Sequence, residues 1–149
     1  MFPGKVEGLA IPRKLDEKPA AYPSPEVGKQ ALGGDFLISP DGKFLLCKNG
    51  TVLRLSAARD DDLKHAATID PFVAAEVAPE LGTVFALAED GSLRVYTYPE
   101  FRPAGRYKLA GVGYALACDG KAGRLYVAAV DPRALRERPR GRGTGELQV

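Results

Sequence analysis

The sequence predicts an all-β fold of propeller type, with about three four-stranded antiparallel blades that do not by themselves complete a ring. Three observations predict it. The segment Ser39-Pro40-Asp41-Gly42-Lys43-Phe44-Leu45-Leu46-Cys47, continued by Asn49-Gly50-Thr51-Val52-Leu53-Arg54-Leu55, returns in weaker form. The second copy is Ala78-Pro79-Glu80-Leu81-Gly82-Thr83-Val84-Phe85-Ala86-Leu87, continued by Asp90-Gly91-Ser92-Leu93-Arg94-Val95-Tyr96. The offsets agree: Phe44 matched to Val84 gives 40 residues, Asn49-Gly50 matched to Asp90-Gly91 gives 41, and Leu125 of a third copy stands 41 beyond Val84. Finally, each copy consists of short β-rich runs separated by Gly, Asp and Asn, the residues that hairpin turns require.

The elements follow in chain order. Residues 1–27 carry Pro3, Pro12, Pro19, Pro23 and Pro25, which exclude helix interiors and central strands, so this stretch is expected to be a leader or linker in which Val6–Ile11 pairs at most as an edge strand. Residues 28–149 are expected to form the partial propeller. Within it, 28–32 is an outer strand alone, because Gly28–Leu32 and its Tyr22-Pro23 approach are similar to Gly105–Leu109 and Tyr98-Pro99. The blade 35–69 comprises strands Asp35–Ser39, Phe44–Cys47, Val52–Leu55 and Leu63–Ile69. The blade 73–109 comprises Val73–Ala78, Thr83–Ala88, Leu93–Tyr98 and Arg106–Leu109. The incomplete blade 112–149 offers Val112–Cys118, Arg124–Val130 and Glu146–Val149. A chain that starts on an outer strand and ends within a blade suits the N-terminal part of a longer propeller, or a protomer that associates through its open blade edges.

The turn Ser39-Pro40-Asp41-Gly42-Lys43 ahead of a strand resembles the turn of WD40-like and YVTN-type β-propeller repeats, and the resemblance covers residues 28–149. With no Trp in the chain, the Trp-Asp dipeptide of true WD40 repeats is missing, as is the Gly-His pair, which favours the looser branch of that superfamily. The resemblance implies a binding surface at the rim holding the connections between second and third strands.

Composition excludes several classes of function. With 45% hydrophobic and 27% charged residues the chain can bury a core. No run approaches the roughly 20 apolar residues of a membrane span, and no secretory signal opens the sequence, so no membrane partner and a cytoplasmic location are expected. Net charge is +2 and its excess lies after residue 130, which argues against a general nucleic-acid footprint. Cys47 and Cys118 have no metal-type spacing and are expected to be buried, reduced thiols.

No residue pattern signals catalysis, a metal or a cofactor, and none is expected. His65, the one histidine, falls on a predicted outer strand and builds no triad or multi-His site. Asp60-Asp61-Asp62 lacks the alternating ligands and glycine of a calcium loop and is expected to be a solvated turn. Gly111-Val112-Gly113 and Gly141-Arg142-Gly143-Thr144-Gly145 fit neither phosphate-binding fingerprint. Phe36, Phe44, Phe72, Phe85, Tyr96, Tyr114 and Tyr126 are expected to pack between blades.

One segment departs from the repeat. The hairpin glycine due near residue 132 is Gly145, leaving an insertion of about 13 residues that carries Arg133, Arg136, Arg138, Arg140 and Arg142. Guanidinium groups clustered there suit carboxylate or phosphate ligands, which they contact bidentately. The plainer alternative is a solvated insertion that keeps its flanking strands soluble. Three functions follow: a non-catalytic module scaffolding an unidentified protein partner, a propeller enzyme of lactonase or quinoprotein kind whose catalytic residues lie outside this chain, and an acidic-ligand binder working through 131–144.

Overall fold

The computed structural model describes residues 35–131 and 133 in full and the backbone of 7–10 and 20–23. The fold is all-β. Strand β1 (Glu7–Ala10) pairs antiparallel with β2 (Ala20–Pro23), so the proline-rich leader contains a short ribbon. The first blade follows as β3 (Phe36–Ile38), β4 (Phe44–Cys47), β5 (Thr51–Arg54) and β6 (His65–Thr68), hydrogen-bonded in that order. The second is β7 (Ala74–Ala78), β8 (Thr83–Leu87), β9 (Ser92–Thr97) and β10 (Pro103–Lys108), again in chain order. Strands β11 (Val112–Asp119) and β12 (Arg124–Val130) form a third antiparallel sheet. The anticipated strands 28–32 and 146–149 lie outside the described residues.

Position within a blade decides burial. β4 is Phe-Leu-Leu-Cys with all four residues buried, because a middle strand is covered on both faces, whereas the outer β10 is almost wholly exposed. Phe44, Leu46 and Val52 of the first blade meet Val77, Val84, Ala86 and Tyr96 of the second. Leu46, Val52 and Val84 are fully buried, each contributing about 1.5–3 kcal/mol relative to an exposed side chain. Phe44, Tyr98 and Phe101 complete this contact as three edge-to-face pairs with centroids 5.0–5.7 Å apart. On the far face of the first blade, Leu45, Cys47 and Leu53 form a smaller cluster with Leu63. Leu63 holds a left-handed φ of 57°, anchored by its N–H donating to the Arg54 carbonyl at 2.8 Å.

The side-chain faces correct the repeat alignment. Phe44 and Leu46 point toward the following blade, whereas Val84 and Ala86 point back toward the preceding one. Phe44 is therefore equivalent to Phe85, not Val84, and the period is 41 throughout. A slip of one residue in a strand reverses every side chain, so the apparent offset of 40 is incompatible with stacked blades.

Burial departs from expectation at five residues and one strand bound also differs. Phe36, Tyr114 and Tyr126 are more than half exposed rather than packed between blades, because they sit on the outward faces of the end sheets. Cys47 is buried but Cys118, on the less covered third sheet, is only half-buried; both are free. Asp60 and Asp61 are exposed, but Asp62 is 7% exposed and its Oδ1 accepts the Ser56 N–H at 2.8 Å, tying the β5–β6 loop back on itself. β10 begins at Pro103 rather than Arg106, with a bulge between Pro103 and Gly105 that accommodates the proline.

Candidate ligand-binding rim

The turns joining β4 to β5 and β8 to β9 lie on one edge of the blades, together with the connections from β6 to β7 and β10 to β11. Backbone hydrogen bonds close this edge: Ile69 N–H donates to the Gly50 carbonyl at 2.9 Å and Phe72 N–H to the Lys48 carbonyl at 2.9 Å. β12 ends on the same edge, since Val130 pairs with Val112 at the start of β11. Asp131, which follows β12, therefore lies at this rim.

The best-formed polar constellation also lies here. Arg94 and Arg106 face each other directly across β9 and β10, an unfavourable arrangement for like charges unless anions intervene. Two do. Asp90 Oδ2 accepts Arg106 Nη2 at 2.7 Å and Arg94 Nη2 at 3.3 Å, and Asp70, on the β6–β7 connection, pairs with Arg94 Nη1. The Tyr96 hydroxyl donates to Asp70 Oδ2 at 2.8 Å and accepts the Asp70 N–H at 3.2 Å. Asp70, Arg94, Tyr96 and Arg106 line a depression of about 370 Å³ together with Val95, Pro103 and Gly105.

Each carboxylate is held in its charged form. Hydrogen bonds from the Ser92 hydroxyl and N–H bring Asp90 down to about 2, with Arg94 and Arg106 adding to the effect. The Arg94 guanidinium, followed by the Tyr96 hydroxyl, keeps Asp70 below the usual carboxylate range. Two guanidiniums against two carboxylates leave this patch neutral and internally satisfied.

Of the five arginines singled out from sequence, Arg133 alone is described: it is exposed and its N–H donates to Asp131 Oδ1 at 2.8 Å. Arg136, Arg138, Arg140 and Arg142 lie outside the described residues. His65 is exposed on β6, Nε2 lying 3.0 Å from the Thr68 hydroxyl. Among the described residues no group of three or more His, Cys, Asp and Glu side chains is arranged to hold a metal, and no helix is long and apolar enough to cross a membrane.

Sequence reasoning did not anticipate Asp70, Arg94, Tyr96 or Arg106. The pairing of Arg94 with Arg106 depends on a register set by the bulge at Pro103–Gly105, and Asp70 reaches it from another blade. The Asp90-Gly91-Ser92 turn was legible as a hairpin, but not as a charge-neutralising group.

Comparison with solved structures places the blades. A structure titled "Dihydro-heme d1 dehydrogenase NirN in complex with DHE" matches over 84% of this chain with a TM-score of 0.60 at 17% sequence identity. That protein has a β-propeller, so the likeness supports propeller architecture for this chain. The match covers 27% of the NirN chain. No family model and no curated protein matches the sequence.

Proposed function

We propose that this chain is a non-catalytic interaction module built from β-propeller blades, of the looser WD40-like or YVTN-type kind, and that its rim binds an acidic protein partner through residues 131–144. The observation that carries the reading is the origin of that segment. It leaves β12 at Val130, on the edge where Arg94 and Arg106 are already neutralised by Asp70 and Asp90, and its sequence carries Arg133, Arg136, Arg138, Arg140 and Arg142. The satisfied network on the same edge is pre-organised, and pre-organisation lowers the cost of association.

The test replaces all five arginines with Gln and compares retention on a heparin resin and on an immobilised acidic peptide. Retention should fall to background in the variant, with the circular dichroism spectrum unchanged. Binding of the wild-type chain should weaken steeply with salt, because the Debye length falls from about 10 Å at 0.1 M to about 3 Å at 1 M. Equal retention of both proteins at low salt would reduce the segment to a solvated insertion.

A second reading, a piece of a propeller enzyme, draws support from the enzyme named in the structural match. The inner strands weigh against it, because β7 and β11 present Ala74, Ala75, Ala115 and Ala117, and Glu76 is the one ionisable side chain on β7.

A further inference from the structure

The charges of Asp70, Arg94, Asp90 and Arg106 balance, yet the two ends of this chain of ion pairs keep hydrogen-bonding groups that the network does not use. In the middle, Arg94 is fully engaged: Nη1 pairs with Asp70, Nη2 lies 3.3 Å from Asp90 Oδ2, and Nε donates to Ser92 Oγ at 3.5 Å. Asp90 is engaged as well, Oδ1 accepting the Ser92 N–H and hydroxyl and Oδ2 accepting both guanidiniums. At one end, Asp70 takes Arg94 and Tyr96 on the same oxygen, Oδ2, so among the described residues Oδ1 accepts nothing. At the other, Arg106 uses Nη2 alone, and its Nε and Nη1 have no partner among the described residues.

Both ends are anchored and open to solvent. Asp70 is tied through its side chain and its own N–H to the hydroxyl of Tyr96, which is 3% exposed, while the Asp70 and Arg106 side chains are 53% and 66% exposed. Both line the depression of about 370 Å³, to which Val95 and Pro103 add apolar surface. A concavity with apolar lining and a few fixed polar groups is the usual form of a small-molecule site, and groups already fixed lose little freedom on binding.

The charge pattern selects the ligand. A simple anion drawn to Arg106 also meets the field of Asp70 and Asp90, and a simple cation drawn to Asp70 also meets that of Arg94 and Arg106. A molecule carrying one charge of each sign pairs favourably at both ends and leaves the neutral patch neutral. Either contact alone is an exposed ion pair and therefore weak, so both are needed at once. We propose that this depression binds a small zwitterion, a free α-amino acid with an apolar side chain, its carboxylate on Arg106, its ammonium on Asp70 Oδ1 and its side chain against Val95 and Pro103. None of these groups belongs to residues 131–144, so this inference stands or falls separately from the function proposed above.

Saturation-transfer difference NMR on the whole chain at pH 6, with L-leucine, L-leucinamide and N-acetyl-L-leucine as probes, tests the inference. The three share one side chain and present a zwitterion, a cation and an anion. L-leucine should bind roughly tenfold or more tightly than either derivative, since each derivative lacks one charge-assisted contact. Asp70→Asn and Arg106→Gln should each weaken L-leucine binding by a similar factor, with circular dichroism unchanged. Arg102→Gln, at an exposed residue outside the depression, should leave it as it is. Loss of the exposed Arg106 side chain keeps the Asp70–Arg94 pair, so Arg106→Gln decides the matter even if Asp70→Asn loosens the blades. Three results would overturn the inference: no L-leucine binding by the wild type, equal binding of the three probes, or L-leucine binding unaffected by Arg106→Gln.

Discussion

The Tyr98 hydroxyl lies 2.7 Å from both carboxylate oxygens of Asp41, a residue 57 positions earlier in the chain and on the neighbouring blade. Asp41 also accepts the Ser39 hydroxyl at 2.7 Å, and Ser39 Oγ in turn accepts the Phe44 N–H at 3.0 Å. The Ser-Pro-Asp-Gly turn is therefore half of a clasp, and the Asp70 to Tyr96 bond at 2.8 Å closes the same pair of blades on the opposite rim. Tyr96 and Tyr98 reach the two rims from one strand and its end, because side chains two residues apart share a face.

Replacing Tyr98 with Phe keeps the ring contacts with Phe44 and Phe101 and removes the bond to Asp41. The expected loss is about 1.5 kcal/mol, in the range for a hydrogen bond to a charged group. Urea unfolding at pH 7 measures it. Although burial pushes the Asp41 carboxyl up, the bonds from Tyr98 and Ser39 together outweigh it and its folded value is lowered. A lowered carboxylate stabilises above its unfolded value of about 3.9 and loses that contribution as pH falls through the folded value. The gap between wild type and variant should accordingly narrow in acid.

The same pair predicts an alkaline effect of opposite sign. Burial, with the Asp41 charge adding to it, pushes the Tyr98 phenol up to about 12. An unfolded tyrosine ionises at about 10 while the native one stays protonated, so its contribution is full below pH 10 and is lost between there and 12. Burial and Asp70 raise Tyr96 as well, so phenolate absorbance should show two late-titrating tyrosines, of which Tyr98→Phe removes one.

Gly50 and Gly42 should respond differently to alanine. Both have positive φ, 95° and 69°, but a Cβ on Gly50 would meet the Ile69 carbonyl oxygen at 2.1 Å, whereas none is met within 4 Å at Gly42. Gly42→Ala should cost about 1–2 kcal/mol from the left-handed backbone alone. Gly50→Ala should cost markedly more, because the β6–β7 connection must move and the hydrogen bond from Ile69 N–H to the Gly50 carbonyl is lost. Thermal melts of the two variants provide the comparison, and equal shifts would mean that the connection yields freely.

Leu46→Ala removes a fully buried side chain from the contact between blades and should cost about 2–5 kcal/mol. Leu81→Ala, at an exposed position, should change stability by less than about 0.5 kcal/mol.

Thiol reactivity should separate the cysteines. Burial raises the Cys47 thiol, and burial followed by Glu80 and Glu76 raises Cys118. Both should react more slowly than a free thiol at pH 8, and Cys118, which is half-buried, should react first. Mass spectrometry of a timed labelling series gives the order.

The strands, their order and the antiparallel blades were legible in the sequence because each rests on local chemistry. Hairpin glycines and asparagines punctuate runs of Phe, Leu and Val, and the bounds of Phe44–Cys47 and Arg124–Val130 follow directly from that punctuation. The direction in which each side chain faces was not legible. Matching Phe44 to Val84 by sequence gives a plausible repeat, but only the stacked sheets place Phe44 against Tyr98 and turn Val84 the other way, because the alternation along a strand carries no information about which neighbour lies on which side. The exposure of Tyr126 likewise depends on what covers the third sheet, not on its composition. The rim network depends on tertiary structure for the same reason: Asp70, Asp90, Arg94 and Arg106 converge through a cross-strand register, a bulge and a connection between blades, and long-range proximity of charges leaves no periodic trace in the chain.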